Sequence, residues 1–114
     1  MERIVERTLL YDFYGDLLTE HQKQIYEYIV FQDLSLSETA QLAGISRQGV
    51  HDLVRRCDKI LAGYEEKLHL VQRFLTIRES VEELHQKVCA FAARKGEALP
   101  AEIESACQKL LQEI

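Results

Sequence analysis

The sequence predicts an all-α fold, and three observations carry that expectation. Apolar residues recur at helical steps of three and four; no stretch alternates apolar and polar residues between turn residues as a strand would; and Gly15, Gly44, Gly96 and Pro100 punctuate the ends of the periodic runs. The expected architecture is an N-terminal helical bundle with a winged-helix-free helix-turn-helix, a long central helix, and amphipathic C-terminal helices.

The first helix covers about residues 2–14, with Val5, Leu9 and Phe13 on one face and Gly15 as its stop. The second opens at Thr19-Glu20-His21-Gln22, a capping box in which the hydroxyl satisfies a free N–H while Gln22 reaches back, and ends near Gln32. Ser35-Leu36-Ser37-Glu38 is a second capping box, opening a short helix with Thr39, Ala40, Leu42 and Ala43 that stops at Gly44. Ser46 then reads as the N-cap of a helix whose apolar residues fall at 50, 54, 57, 61, 64, 68, 71 and 75 in alternating steps of four and three. That heptad seam predicts one helix over about 47–75, with Gly63 as its weak point. Such a helix would be about 43 Å long at 1.5 Å per residue, wider than a compact domain of this size. Leu61, Tyr64, Leu68, Val71 and Leu75 are therefore the expected dimer or partner interface. Val81, Leu84, Val88 and Phe91 mark a further helix up to Gly96, and Ile103, Cys107, Leu110 and Ile114 a last one after Leu99-Pro100. Both could fold back on the long helix, dimerise through it, or do both.

At 114 residues the chain suits a single domain, 1–114, with a helix-turn-helix part over 1–60 and an extension over 61–114. No apolar run approaches the ~18 residues of a membrane span, and the N-terminus alternates charge where a signal peptide is apolar. A cytoplasmic protein without membrane contact is expected. Cys57, Cys89 and Cys107 are odd in number, lack C-x-x-C spacing, and occupy core positions of helical patterns, so they read as buried thiols. A net charge of −5 argues against a generic nucleic-acid binder, because phosphate neutralisation usually shows as a basic excess. Any nucleic-acid contact must be local.

The local candidate runs from Ser35 to Arg56. Ala40 is small where two helices cross, Gly44 can take the positive φ of a tight turn, Ile45 plugs the gap beneath it, and Val50 and Leu53 anchor the second helix. On a helical wheel His51, Asp52, Arg55 and Lys59 lie within about 60° of Gln48, opposite Val50, Val54 and Cys57. Ser46 and Arg47 sit at the helix N-terminus, where free N–H groups can hold a phosphate; Gln48 can read adenine, Arg55 guanine or phosphate, and Arg56 flanks the surface. The candidate nucleic-acid-binding residues are thus Ser46, Arg47, Gln48, His51, Arg55, Arg56 and Lys59. Against them stand Asp52 and Asp58, which leave two net positive charges, within what an ordinary solvated helix carries.

Leu10-Tyr11-Asp12-Phe13-Tyr14-Gly15, Leu17-Leu18-Thr19, Ser35-Leu36-Ser37-Glu38, Ser46-Arg47-Gln48-Gly49-Val50 and Tyr64-Glu65-Glu66-Lys67-Leu68 carry a resemblance over roughly residues 9–70. The chain resembles the YlxM family, small bacterial helix-turn-helix proteins associated with the signal recognition particle, whose motif is similar to the fourth region of sigma factors. Gly49 departs from the alanine expected in relatives, a change that costs up to ~1 kcal/mol in a helix. The resemblance implies a regulatory or accessory part in the particle's pathway. Its expected partners are the particle RNA, the particle GTPase, or both, with DNA as a further target and a homodimer as the expected state.

The four histidines show no H-x-x-x-H spacing, and His51 and Cys57 lie about 240° apart on one helix, so no metal or other cofactor is expected. With no phosphate loop, nucleophile elbow or oriented cysteine–histidine arrangement, no enzyme is expected either. The aromatic residues Tyr11, Phe13, Tyr14, Tyr26, Tyr28 and Phe31 could stack bases, but their helical spacing favours core and partner packing. Three functions remain: a nucleic-acid-binding adaptor, a module that modulates the particle GTPase through protein contacts alone, and a sigma-like transcription regulator.

Overall fold

The computed structural model describes residues 3–96 and 100–113. Along the chain run α1 (Arg3–Tyr14), a 3₁₀ turn (Gly15–Leu17), α2 (Glu20–Val30), α3 (Leu36–Ala43), α4 (Arg47–Leu68), α5 (Leu70–Arg94) and α6 (Ala101–Glu113), with no strand among the described residues. All-α is the fold class. Two compact units divide the chain, Met1–Val71 and Gln72–Ile114.

In the first unit α4 is the hub, packed against α1, α2 and α3. Its buried stripe of Val50, Val54, Cys57 and Leu61 follows the predicted four-three spacing, and Leu10, Tyr14, Leu18, Ile25, Tyr26, Val30 and Ala40 complete the core around it. Full burial of an aliphatic side chain such as Val50 or Leu61 stabilises by about 1.5–3 kcal/mol. The Cys57 thiol sits wholly inside this core, and burial, reinforced by the Asp58 charge, pushes it up to about 11. It is an inert packing group.

Aromatic stacking fixes how α1 meets its neighbours. Tyr11 stacks on Tyr26 with ring centroids 5.6 Å apart, and Tyr14 on Tyr64 at 5.9 Å. The phenols of the two buried tyrosines then reach carboxylates on α4. Tyr26 Oη donates to Asp58 Oδ1 at 2.7 Å, and Tyr14 Oη donates to Glu65 Oε1 at 2.6 Å.

Both predicted capping boxes form. Thr19 Oγ1 accepts from Gln22 N while Gln22 Oε1 accepts from Thr19 N, and Ser35 and Glu38 repeat the exchange. The central helix is shorter than its heptad seam suggests. It passes through Gly63 unbroken and ends at Leu68, where His69 adopts the left-handed conformation with φ 56°. α5 starts at once, its first N–H groups taken up by side chains of the first unit: Leu70 N donates to Tyr14 Oη at 3.1 Å and Val71 N to Glu65 Oε1 at 2.9 Å. A hydrogen-bonded tyrosine–glutamate pair ends the helix here, at a position with no glycine or proline.

The second unit comprises most of α5 together with α6, and Cys107 is the one buried residue among those described in it. Val81 and Val88 are half-buried as their spacing predicts, whereas Leu84, Phe91, Ile103 and Leu110 are exposed. Ile114, expected on the last helix, lies outside the described residues. No helix of the described residues is long and apolar enough to cross a membrane.

Candidate nucleic-acid interface

The turn between α3 and α4 is built as the residue types demand. Gly44 caps α3 at φ 71° and its N–H donates to the Ala40 carbonyl at 2.9 Å, as does Ile45 N at 3.2 Å. A side chain at position 44 would meet nothing within 4 Å, so the backbone angle, not space, calls for glycine. Thr39 and Ala40 face the core, while Leu42 is exposed, so α3 presents a narrower apolar face than the sequence suggests.

Ser46 begins α4 as its N-cap, with Oγ accepting from Gly49 N at 3.0 Å and its carbonyl accepting from Val50 N at 3.0 Å. Among the described residues the N–H groups of Arg47 and Gln48 have no hydrogen-bond partner at the positive end of the helix dipole, which suits an anion. A Cβ at Gly49 would lie 3.1 Å from Ser46 Oγ, so alanine there would crowd the cap itself.

All seven predicted residues, Ser46, Arg47, Gln48, His51, Arg55, Arg56 and Lys59, are exposed on α4. Two shallow depressions lie along them, one lined by Leu36, Ser46, Arg47, Gln48 and His51, the other by Asp52, Arg55, Arg56 and Lys59. Arg55, Arg56 and Lys59 make no ion pair or hydrogen bond among the described residues, and Arg47 has only a long contact, 3.5 Å, to Ser37 Oγ. Asp52 is engaged locally: Gln48 Nε2 donates to its Oδ1 at 2.9 Å, and His51 Nδ1 lies 3.7 Å from the same oxygen. For Gln48 to read a base it must leave Asp52.

The charge balance of this face differs from the one the sequence implies. Asp58 is half-buried on the other flank, with Oδ2 accepting from Arg7 Nη2 at 2.6 Å and Oδ1 from Tyr26. Its negative charge is spent inside the first unit. Four cations therefore face solvent against the single carboxylate of Asp52, a denser local positive surface than a count of residues gives.

The residues expected at a dimer or partner interface are not brought together on one free surface. Leu61 and Val71 are buried within the chain itself and Tyr64 stacks on Tyr14, while Leu75 is half-buried; Leu68 alone is well exposed. Sequence periodicity cannot separate a seam filled by the chain's own helices from one awaiting a partner.

Residues 1–98 match the family described as "Putative helix-turn-helix protein, YlxM / p13 like", UPF0122. The chain belongs to this family. Among its relatives are a UPF0122 protein of Clostridium botulinum (strain Alaska E43 / Type E3), 45% identical over 91 residues, covering 76% of this chain and 84% of that one. Another, from Caldanaerobacter subterraneus subsp. tengcongensis, is 44% identical over 79 residues, covering 69% and 68%. A third, from Symbiobacterium thermophilum, is 40% identical over 99 residues, covering 84% and 92%. The family is one of helix-turn-helix proteins.

Proposed function

We propose that this UPF0122 protein is a helix-turn-helix nucleic-acid-binding adaptor acting as a regulatory or accessory component of the signal recognition particle pathway, with the particle RNA as its target. The observation that carries the binding part is the set of cations Arg55, Arg56 and Lys59 on the exposed face of α4, which have no ion-pair partner among the described residues, beside the capped N-terminus at Ser46 and Arg47. Phosphates meet that face without first breaking an ion pair, which is the usual cost of recruiting a surface arginine. The pathway assignment rests on the family resemblance.

Labelled particle RNA, followed by fluorescence anisotropy against random RNA and duplex DNA at two salt concentrations, tests it. Wild type is expected to prefer the particle RNA, and Arg55→Ala with Arg56→Ala to weaken binding about tenfold or more while flattening the salt dependence. Unchanged binding in the double variant would remove this face from the mechanism.

A second reading is favoured by the exposure of Leu68 and Leu70 where α4 gives way to α5, at 50% and 41%. In that reading the protein modulates the particle GTPase by apolar contact alone. Leu68→Asp would then abolish GTPase binding while the arginine variants are silent. A sigma-like regulator reading duplex DNA as a dimer would need two recognition helices about 34 Å apart.

A further inference from the structure

One cluster in the second unit has a chemistry that packing does not require. His85 and Cys89 stand four residues apart on α5 and so share a face, and Glu104 of α6 reaches the same point. His85 Nε2 is 2.8 Å from Glu104 Oε2 and 3.6 Å from Cys89 Sγ, and the nitrogen, sulfur and oxygen all lie within 4.8 Å of one another. All three residues are half-buried, sheltered yet reachable from solvent. Gln108, one turn along α6, donates Nε2 to Glu104 Oε1 at 3.1 Å, which orients the carboxylate and leaves Oε2 toward the cluster. The His85 and Gln108 hydrogen bonds hold the Glu104 carboxyl below its ordinary range, so it is an anion at neutral pH.

We propose that His85, Cys89 and Glu104 form a binding site for one zinc-class divalent metal ion, with a fourth position open to water. A tetrahedral ion with metal–nitrogen and metal–sulfur bonds of about 2.0 and 2.3 Å sets its nitrogen and sulfur ligands about 3.6 Å apart. The His85–Cys89 pair already stands at that separation, 3.6 Å. The same geometry puts nitrogen and oxygen ligands about 3.4 Å apart, so Glu104 would withdraw by roughly half an ångström, a movement of one partly exposed side chain. As the ion binds, the Cys89 thiol proton leaves to solvent and the sulfur–metal bond takes its place. Without metal, Nε2 carries the proton that it donates to the Glu104 carboxylate; as the ion binds, that proton passes through solvent to Nδ1, Nε2 is freed as a ligand, and Glu104 exchanges the histidine for the metal. One nitrogen, one thiolate and one carboxylate suit zinc or cobalt and suit calcium and magnesium poorly. The ion would tie α5 to α6 in a unit whose described residues bury only Cys107, where a cross-link adds most. This site is independent of the α4 surface, and either can fail without the other.

The test titrates the whole reduced, metal-free chain with cobalt(II) and reads the thiolate-to-cobalt charge-transfer absorption, followed by displacement with zinc. Saturation at one equivalent is expected, with Cys89→Ser losing the charge-transfer band and His85→Gln and Glu104→Gln each weakening binding roughly tenfold or more. Zinc should raise the melting temperature of wild type and leave that of Cys89→Ser unmoved. Because Cys89 is half-buried and serine differs from it by one atom, circular dichroism of that variant should match wild type. Absence of the band from wild type, or its persistence in Cys89→Ser, would overturn the proposal.

Discussion

Tyr14 is the residue on which the end of the first unit turns. Its phenol donates to Glu65 and accepts from Leu70 N, so one hydroxyl joins α1, α4 and the start of α5. Removing it in Tyr14→Phe strands a backbone N–H and takes a donor from a carboxylate, a loss of about 1–3 kcal/mol measurable by urea denaturation. Burial first, and the hydrogen bond to Glu65 next, hold the Tyr14 phenol above its ordinary value, and burial and Asp58 do the same for Tyr26. The unfolded chain therefore gives up phenolic protons near pH 10 that the folded chain keeps. Stability is fully present below that pH and falls as pH rises beyond it. An alkaline titration followed by circular dichroism should show this loss, with a shallower slope in Tyr14→Phe. Sequence reading places these tyrosines in the core but cannot supply their carboxylate partners. For Asp58 a signal exists: it is four residues after Val54 and three before Leu61, about 40° from Val54 on the helical wheel. Counting it among the surface charges ignores that phase.

At the scale of elements, local chemistry is legible wherever it is written in neighbouring residues. The boxes at Thr19 and Ser35, the left-handed turn at Gly44 and the cap at Ser46 all follow from side chains within four positions of the atoms they satisfy. The end of α4 was hidden because its cause, Tyr14, is more than fifty residues away and the heptad seam runs on through His69 as if nothing happened. Likewise His85-x-x-x-Cys89 can be read along one helix, but the third group, Glu104, arrives from another. Gly63 and His69 occupy positions whose preferences are reversed: a glycine inside a helix, and a non-glycine at φ 56°. A Cβ at Gly63 meets nothing within 4 Å, so Gly63→Ala should stabilise by about 1 kcal/mol through helix propensity alone. His69→Gly relieves the left-handed strain and should add up to about 1 kcal/mol. Thermal melts check both, with a rise of several degrees expected for each; a lower melting temperature in His69→Gly would mean that its imidazole makes a stabilising contact.

For the whole molecule the governing fact is a net charge of −5 that coexists with a cationic face on α4. With Arg47, Arg55, Arg56 and Lys59 gathered there against Asp52, the rest of the chain carries more than the entire negative excess. The overall negative charge opposes a polyanion while the α4 face attracts it, so charge serves registration more than overall attraction. The number of phosphates this face alone can neutralise is about four, one for each of its cations. Counterion release makes the logarithm of the binding constant fall with the logarithm of salt concentration at a slope of about −0.9 per phosphate on duplex and about −0.7 on single strands. A slope between about −2 and −4 is therefore expected for wild type, shrinking by one to two when Arg55 and Arg56 are both replaced by alanine. A wild-type slope as steep as about −6 would require cations from outside α4 and point to a second contact surface. A slope near zero with binding retained would mean that the complex forms without phosphate contact, which returns the weight to Leu68, Leu70 and a protein partner.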